Sequence, residues 1–203
     1  MKRLSKYILV AFATILLHLS INAQTAELDK KAPDFQLTDS YGKTHKLSDF
    51  AGKYVVLEWI NFDCPFVVKH YKSENMQKLQ KEYTAKGVVW LSICSSNEGK
   101  QGFFKPEEIN KRIVDNKAKM TAYLIDTDGK VGKMYGAKVT PHIFIIDKEG
   151  KLVYQGAIDN IKSTNVDDIP KATNYVSEVF NSLFAGKPIT TKTTTPYGCS
   201  VKY

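Results

Sequence analysis

Two apolar, β-branched runs, YVVLEWI (residues 54–60) and VVWLSIC (residues 88–94), stand either side of a segment with helical spacing, and this order constrains the chain most. Nearly every position in both runs is apolar, the pattern of strands buried on both faces. Between them, Asp63 suits an N-cap and Pro65 the first helical turn. Val67, Tyr71, Met76, Leu79 and Tyr83 then recur at near-helical intervals up to Gly87. Strands joined through one long helix lie parallel, with a right-handed crossover.

The flanking sequence extends this unit. APDFQLTDSYGKTHKLSDF (residues 32–50) reads as a hairpin around Tyr41-Gly42, with Leu47 and Phe50 offering apolar contacts. Downstream, the sequence predicts a helix from Pro106 to about Lys117, a strand over 122–125 and a turn over 126–129. That turn, DTDG, opens like a calcium loop, but its twelfth position is Ala137 rather than glutamate, so a plain turn is expected. An antiparallel hairpin over 143–146 and 151–156 follows, then a last helix over 171–184. A Thr- and Lys-rich tail closes with PYGCSVKY. The fold expected is α/β, a central mixed β-sheet flanked by helices with an N-terminal β-hairpin extension. Residues 24–185 form the domain and 186–203 the C-terminal tail.

Lys2, Arg3 and Lys6 precede the apolar run 8–17, and Ile21-Asn22-Ala23 follows it, the layout of a signal peptide cleaved after residue 23. The run falls short of the roughly 20 residues that span a bilayer, so no membrane span is expected after cleavage. Losing three cations and no carboxylate takes the formal charge from +8 to +5. The remaining lysines are scattered rather than gathered in a stripe, which excludes nucleic acid as the expected partner. Export, expected to reach the periplasm, permits disulfides for the three cysteines, Cys64, Cys94 and Cys199.

Cys64 is the candidate nucleophile, because a helix N-terminus favours the thiolate. Asp63 opposes it by charge, and Trp59 and Phe66 by desolvation. Lys69 and His70 point away from Cys64 on a helix, whereas Tyr71 returns to its face. Cys94 ends an apolar strand and reads as packing. His70 and His142 invite a copper reading, but no second cysteine shares the Cys64 loop, so neither a metal nor a bound cofactor is expected.

With APDFQLTD, GKYVVLEW, TPHIFIIDKEGKLVYQG and YGCSVKY in this order, residues 32–203 resemble the thioredoxin superfamily. More narrowly they resemble its alkyl hydroperoxide reductase and thiol-specific antioxidant (redoxin) branch, peroxiredoxin-like subgroup. The resemblance implies a thioredoxin-like fold with Cys64 at the first cysteine of CxxC and Val67 in place of the second. It puts Pro141 at the cis-proline and gives Thr140 main-chain hydrogen bonds for an extended substrate, with Trp59 and Asn61 as further substrate contacts. Peroxiredoxins carry PxxxTxxC, and here Leu57 and Asn61 stand at the proline and threonine, while their activating arginine falls at Pro141. These departures disfavour peroxide chemistry, although Asn61 retains a donor.

A partner for Cys64 could come from the tail: residues 186–198 reach up to roughly 40 Å when extended. Cys199 is then a resolving thiol, a terminal thiol without a role, or half of a structural disulfide. The expected function is an exported thiol-dependent oxidoreductase of antioxidant type, meeting a thiol or disulfide protein or a small peroxide. The alternative is a redox-inactive module that binds extended peptide at Thr140-Pro141.

Overall fold

The computed structural model describes residues 25–203, so the expected signal peptide lies outside the described residues. The N-terminal hairpin forms as expected from β1 (Gln36–Asp39) and β2 (Thr44–Lys46). Asp39 closes its turn: one carboxylate oxygen accepts from the amides of Tyr41 and Lys43, both at 2.9 Å, and the other meets His45 Nε2 at 2.7 Å. The hairpin joins the main sheet directly, because β1 pairs antiparallel with a later strand.

The central unit is β3 (Val55–Trp59), α1 (Pro65–Lys72), α2 (Asn75–Ala85) and β4 (Val89–Cys94), with β3 and β4 parallel from Val55 opposite Val89 to Trp59 opposite Ile93. The single helix expected here is two. Ser73 Oγ donates to the Lys69 carbonyl at 2.8 Å, and Glu74 turns left-handed at φ 58°, breaking the ladder. Asp63 is not the N-cap; Cys64 is, with Pro65 next.

The chain continues through α3 (Pro106–Asp115), β5 (Ala122–Ile125), α4 (Lys130–Tyr135), β6 (Val139–Thr140), β7 (His142–Ile146), β8 (Leu152–Gly156) and α5 (Tyr175–Phe184). The short α4 has no counterpart among the sequence expectations. The Asp126 carboxylate organises its start by accepting from the amides of Val131 and Gly132 at 3.2 and 2.8 Å, and Gly136 ends it. The last helix begins at Tyr175 rather than 171, because Val166–Lys171 is a 3-10 turn containing Pro170, and Asn174 then caps α5 through the Ser177 amide at 3.0 Å.

The sheet order is β2-β1-β5-β4-β3-β7-β8, with β3, β4 and β5 parallel at its centre. Val55, Leu57 and Trp59 pack on one face with Phe144 and Tyr135; Val56 and Ile60 face the cluster under α1, α2 and α5. Within that second face lies Glu58, fully buried. Its carboxylate accepts from Trp90 Nε1 and Ser92 Oγ at 2.8 Å and from Gln80 Nε2 and Tyr71 Oη at 3.2 Å. Burial raises its pKa, and these four donors restrain the rise. Glu58→Ala therefore strands four buried donors and opens a cavity. Urea denaturation is expected to register a loss of about 3–5 kcal/mol.

Candidate active site

Two loop ends meet above the C-terminal edge of the central strands. Cys64 follows β3 at the N-cap of α1, and its amide donates to the Asn61 carbonyl at 2.9 Å. Because β3 pairs with β7 so that Trp59 lies opposite His142, the segment entering β7 is carried to the same place. The Thr140-Pro141 peptide there is cis. Cys64 Sγ lies 3.0 Å from the Thr140 carbonyl, which accepts the S–H of the neutral thiol.

The third component is the tail. Cys199 and Ser200 form β9, antiparallel to β6, with Thr140 opposite Cys199 and Val139 opposite Ser200. The Cys199 amide donates to Cys64 Sγ at 3.4 Å, which brings the two cysteines side by side. The two cysteines are not disulfide-bonded. Gly198 is essential to this approach: at φ 149° it lies against the Thr140 carbonyl oxygen, where a Cβ would overlap it.

The tail is held along its length. Upstream, Thr194 Oγ1 accepts from the Ala157 amide at 2.9 Å and pairs with Tyr154 Oη at 2.7 Å. Tyr197 Oη donates to Asp159 Oδ1, while its ring lies edge-on to Phe66 and near Lys69 Nζ. Beyond Cys199, the Val201 amide donates to the Lys138 carbonyl at 3.0 Å, and Tyr203 Oη to the Ala137 carbonyl at 2.7 Å.

Burial works against the Cys64 thiolate, but its interactions with Cys199, Thr140 and the Val67 amide outweigh it, and its pKa falls below the ordinary thiol value. Cys199 moves the other way, pushed up to about 12 by burial and by the neighbouring Cys64 sulfur. The two shifts are opposite in direction, so Cys64 is the sulfur that ionises first and Cys199 the one that keeps its proton longer.

Among the residues picked out in the sequence, Cys64, Thr140, Pro141 and Cys199 come together. Trp59 does not line the site: it is fully buried, packs on Tyr135 and Phe144, and its indole donates to Ser95 Oγ at 2.9 Å. Asn61 lies at the loop, but its Nδ2 donates to the Gln101 carbonyl at 3.4 Å and its Oδ1 accepts from the Asp63 amide at 3.0 Å. Its amide therefore shapes the loop. His142 is buried, which lowers its pKa to about 4, with Lys138 adding to the effect. Cys94 is buried and its thiol is shifted up by that burial.

Sequence reasoning missed Arg112 and Asp159. Arg112 on α3 binds the Asp63 carboxylate at 2.7 Å and Glu108 at 2.9 Å, offsetting the charge expected to oppose the Cys64 thiolate. Lys69, His70 and Asp159 form a buried polar cluster behind the helix start. Lys69 Nζ reaches Asp159 Oδ2 at 3.3 Å and the Ile161 carbonyl at 3.0 Å. Burial, with Lys69 adding to it, lowers the His70 pKa to about 4 and keeps the ring neutral.

A mixed sheet with a cysteine at the first crossover helix, facing a cis-proline, defines a thioredoxin-like thiol protein. Residues 27–175 match the Redoxin family, and the chain belongs to it. Thiol-disulfide oxidoreductase ResA of Bacillus thuringiensis subsp. konkukian is 30% identical over 131 residues, 64% of this chain and 69% of the relative. Peroxiredoxin Bcp of Bacillus subtilis is 32% identical over 144 residues, 64% of this chain and 83% of the relative. Among solved structures, an uncharacterized conserved protein from Geobacillus kaustophilus is 28% identical, with a TM-score of 0.74 covering 87% of this chain and 92% of that one.

Ultraviolet titration of thiolate formation should resolve Cys64 below the ordinary thiol range and Cys199 near 12. Cys199→Ala removes the thiol donor, so the Cys64 pKa is expected to rise.

Proposed function

We propose that this protein is a thiol-dependent oxidoreductase in which Cys64 is the nucleophile and Cys199 the resolving thiol. The observation that carries the reading is the β6–β9 pairing, which sets the Cys199 amide on Cys64 Sγ and so brings the second cysteine to the first. The substrate class is a disulfide presented by an extended polypeptide, with Thr140 supplying main-chain hydrogen bonds beside Pro141. The ResA likeness supports this chemistry.

In the first step the Cys64 thiolate attacks one sulfur of the substrate disulfide. A Cys64–substrate disulfide forms, the substrate S–S bond breaks, and the departing thiolate takes a proton. Cys199, giving up its proton, then attacks Cys64 Sγ. The Cys64–Cys199 disulfide forms and the second substrate thiol leaves. Two electrons have passed from the protein dithiol to the substrate, and a thiol protein of the compartment returns them. No bound cofactor takes part.

The Bcp likeness favours a hydroperoxide as a second oxidant: Cys64 would become a sulfenic acid as the alcohol leaves, and Cys199 would condense with it, releasing water. The polarising groups are weaker here, since the Asn61 amide and the Arg112 guanidinium both have other partners. A redox-inactive peptide-binding module leaves the polarised cysteine pair without a purpose. The N-terminal segment 1–23 would direct export to the compartment where such disulfides form. Among the described residues, no helix is long and apolar enough to cross a membrane.

Cys64→Ser should abolish reduction of a peptide disulfide, and full activity in that variant would refute the assignment. Cys199→Ser should retain the first attack but accumulate the mixed disulfide on Cys64, lowering steady-state turnover by about 100-fold with a protein reductant. Single-turnover mass spectrometry separates the two steps.

A further inference from the structure

Cys64 is fully buried, and the tail contributes to that burial at the very edge where a substrate strand would pair. An antiparallel position beside Val139–Thr140 holds one strand at a time, because each main-chain amide and carbonyl there accepts one partner geometry. A disulfide sulfur must also approach Cys64 Sγ nearly in line with the bond it breaks, along a direction for which Cys199 competes. Resting on the thiol-exchange reading above, we propose that the C-terminal strand is an internal copy of the partner's recognition segment. A partner reaches Cys64 by exchanging an extended Tyr-Gly-Cys strand for residues 197–199.

Each position of the docked tail supplies one element of that specificity. The residue before the reacting sulfur must be glycine, because a Cβ on Gly198 would overlap the Thr140 carbonyl. Two residues before the sulfur, the Tyr197 ring occupies a socket formed by Phe66, Lys69 and Asp159. That socket has an acceptor ready for a phenol: Asp159 Oδ1 takes the hydroxyl, while Oδ2 faces Lys69 at 3.3 Å. The position after the sulfur is permissive, since Ser200 is exposed. Exchange leaves the covalent steps unchanged: the partner cysteine joins Cys64, and the returning tail brings Cys199 to displace it.

The test follows the reduced full-length protein. Alkylation of Cys64 by iodoacetamide is timed by peptide mass at pH 9, where a difference in thiolate fraction between variants has least influence. Tyr197→Phe removes only the hydroxyl held by Asp159 and is expected to raise the rate about tenfold, the worth of one hydrogen bond to a carboxylate. Gly198→Val should raise it further, and a retained native circular-dichroism spectrum with a cooperative urea transition in Tyr197→Phe guards against misfolding as the cause. The synthetic peptide Pro-Tyr-Gly-Ser-Ser-Val-Lys, which carries no thiol, should restore protection to Gly198→Val saturably; versions with alanine for its glycine or its tyrosine should not.

Equal, fast alkylation in wild type and both variants would overturn the internal-copy proposal while leaving Cys64 a competent nucleophile. Slow alkylation in every folded form, with normal reaction in urea, would overturn the proposal and the nucleophile reading together. Protection that falls on dilution of the wild-type protein would assign the edge to a second copy's tail and overturn it as well.

Discussion

The register of β3 against β7 governs the rest of the site. With Trp59 opposite His142, the loop leaving β3 and the segment entering β7 end side by side, so Cys64 Sγ and the Thr140 carbonyl stand 3.0 Å apart. A strand slipped by one residue would reverse every side chain and exchange the two packed faces, so the apolar alternation that builds the core also fixes the chemistry. The tail adds a third strand position to an arrangement the core has already set.

Buried polar groups hold that arrangement in one geometry. Glu58 ties β3 to β4 and to both helices of the first crossover through four donors. Lys69 and Asp159 join α1 to the segment after β8, and Tyr197 brings the tail onto the same carboxylate. Removing one partner of such a cluster leaves another buried and unpaired, which costs more than the pair contributes, so each contact constrains where the chain can lie. The short path from Tyr197 to Cys199 transmits this constraint to the thiol pair. Arg112 acts from the opposite side by neutralising Asp63.

Much of the architecture was legible because its signals are local. The apolar runs at β3 and β4, the Tyr41-Gly42 hairpin and the Thr-Pro entry to β7 all carry their structure in a few adjacent residues. Cys64 is legible as a cysteine at a helix start, Cys199 as a thiol on a tail long enough to reach it, and Thr140 and Pro141 only through the family resemblance. What escaped depends on contacts distant in sequence or on competition within a segment. The division of α1 from α2 is set by Ser73 bonding back to Lys69 and by a left-handed Glu74, neither of which disturbs the apolar periodicity. Arg112 meets Asp63 across 49 positions, with no motif to mark it. Trp59, a substrate contact on the family resemblance, is turned by strand alternation into the other core face. In the tail, Gly198 permits the backbone approach to Thr140 that a Cβ would block, a role that shows only once the two segments are side by side.

The central claim is that Cys64 and Cys199 form a working dithiol pair. The most direct measurement is mass mapping of the wild-type protein after oxidation by one equivalent of oxidised glutathione, without reductant. The account predicts a Cys64–Cys199 cross-linked peptide, Cys94 unmodified and both glutathione halves released as thiols. A stable glutathione adduct on Cys64 with Cys199 still free would contradict it.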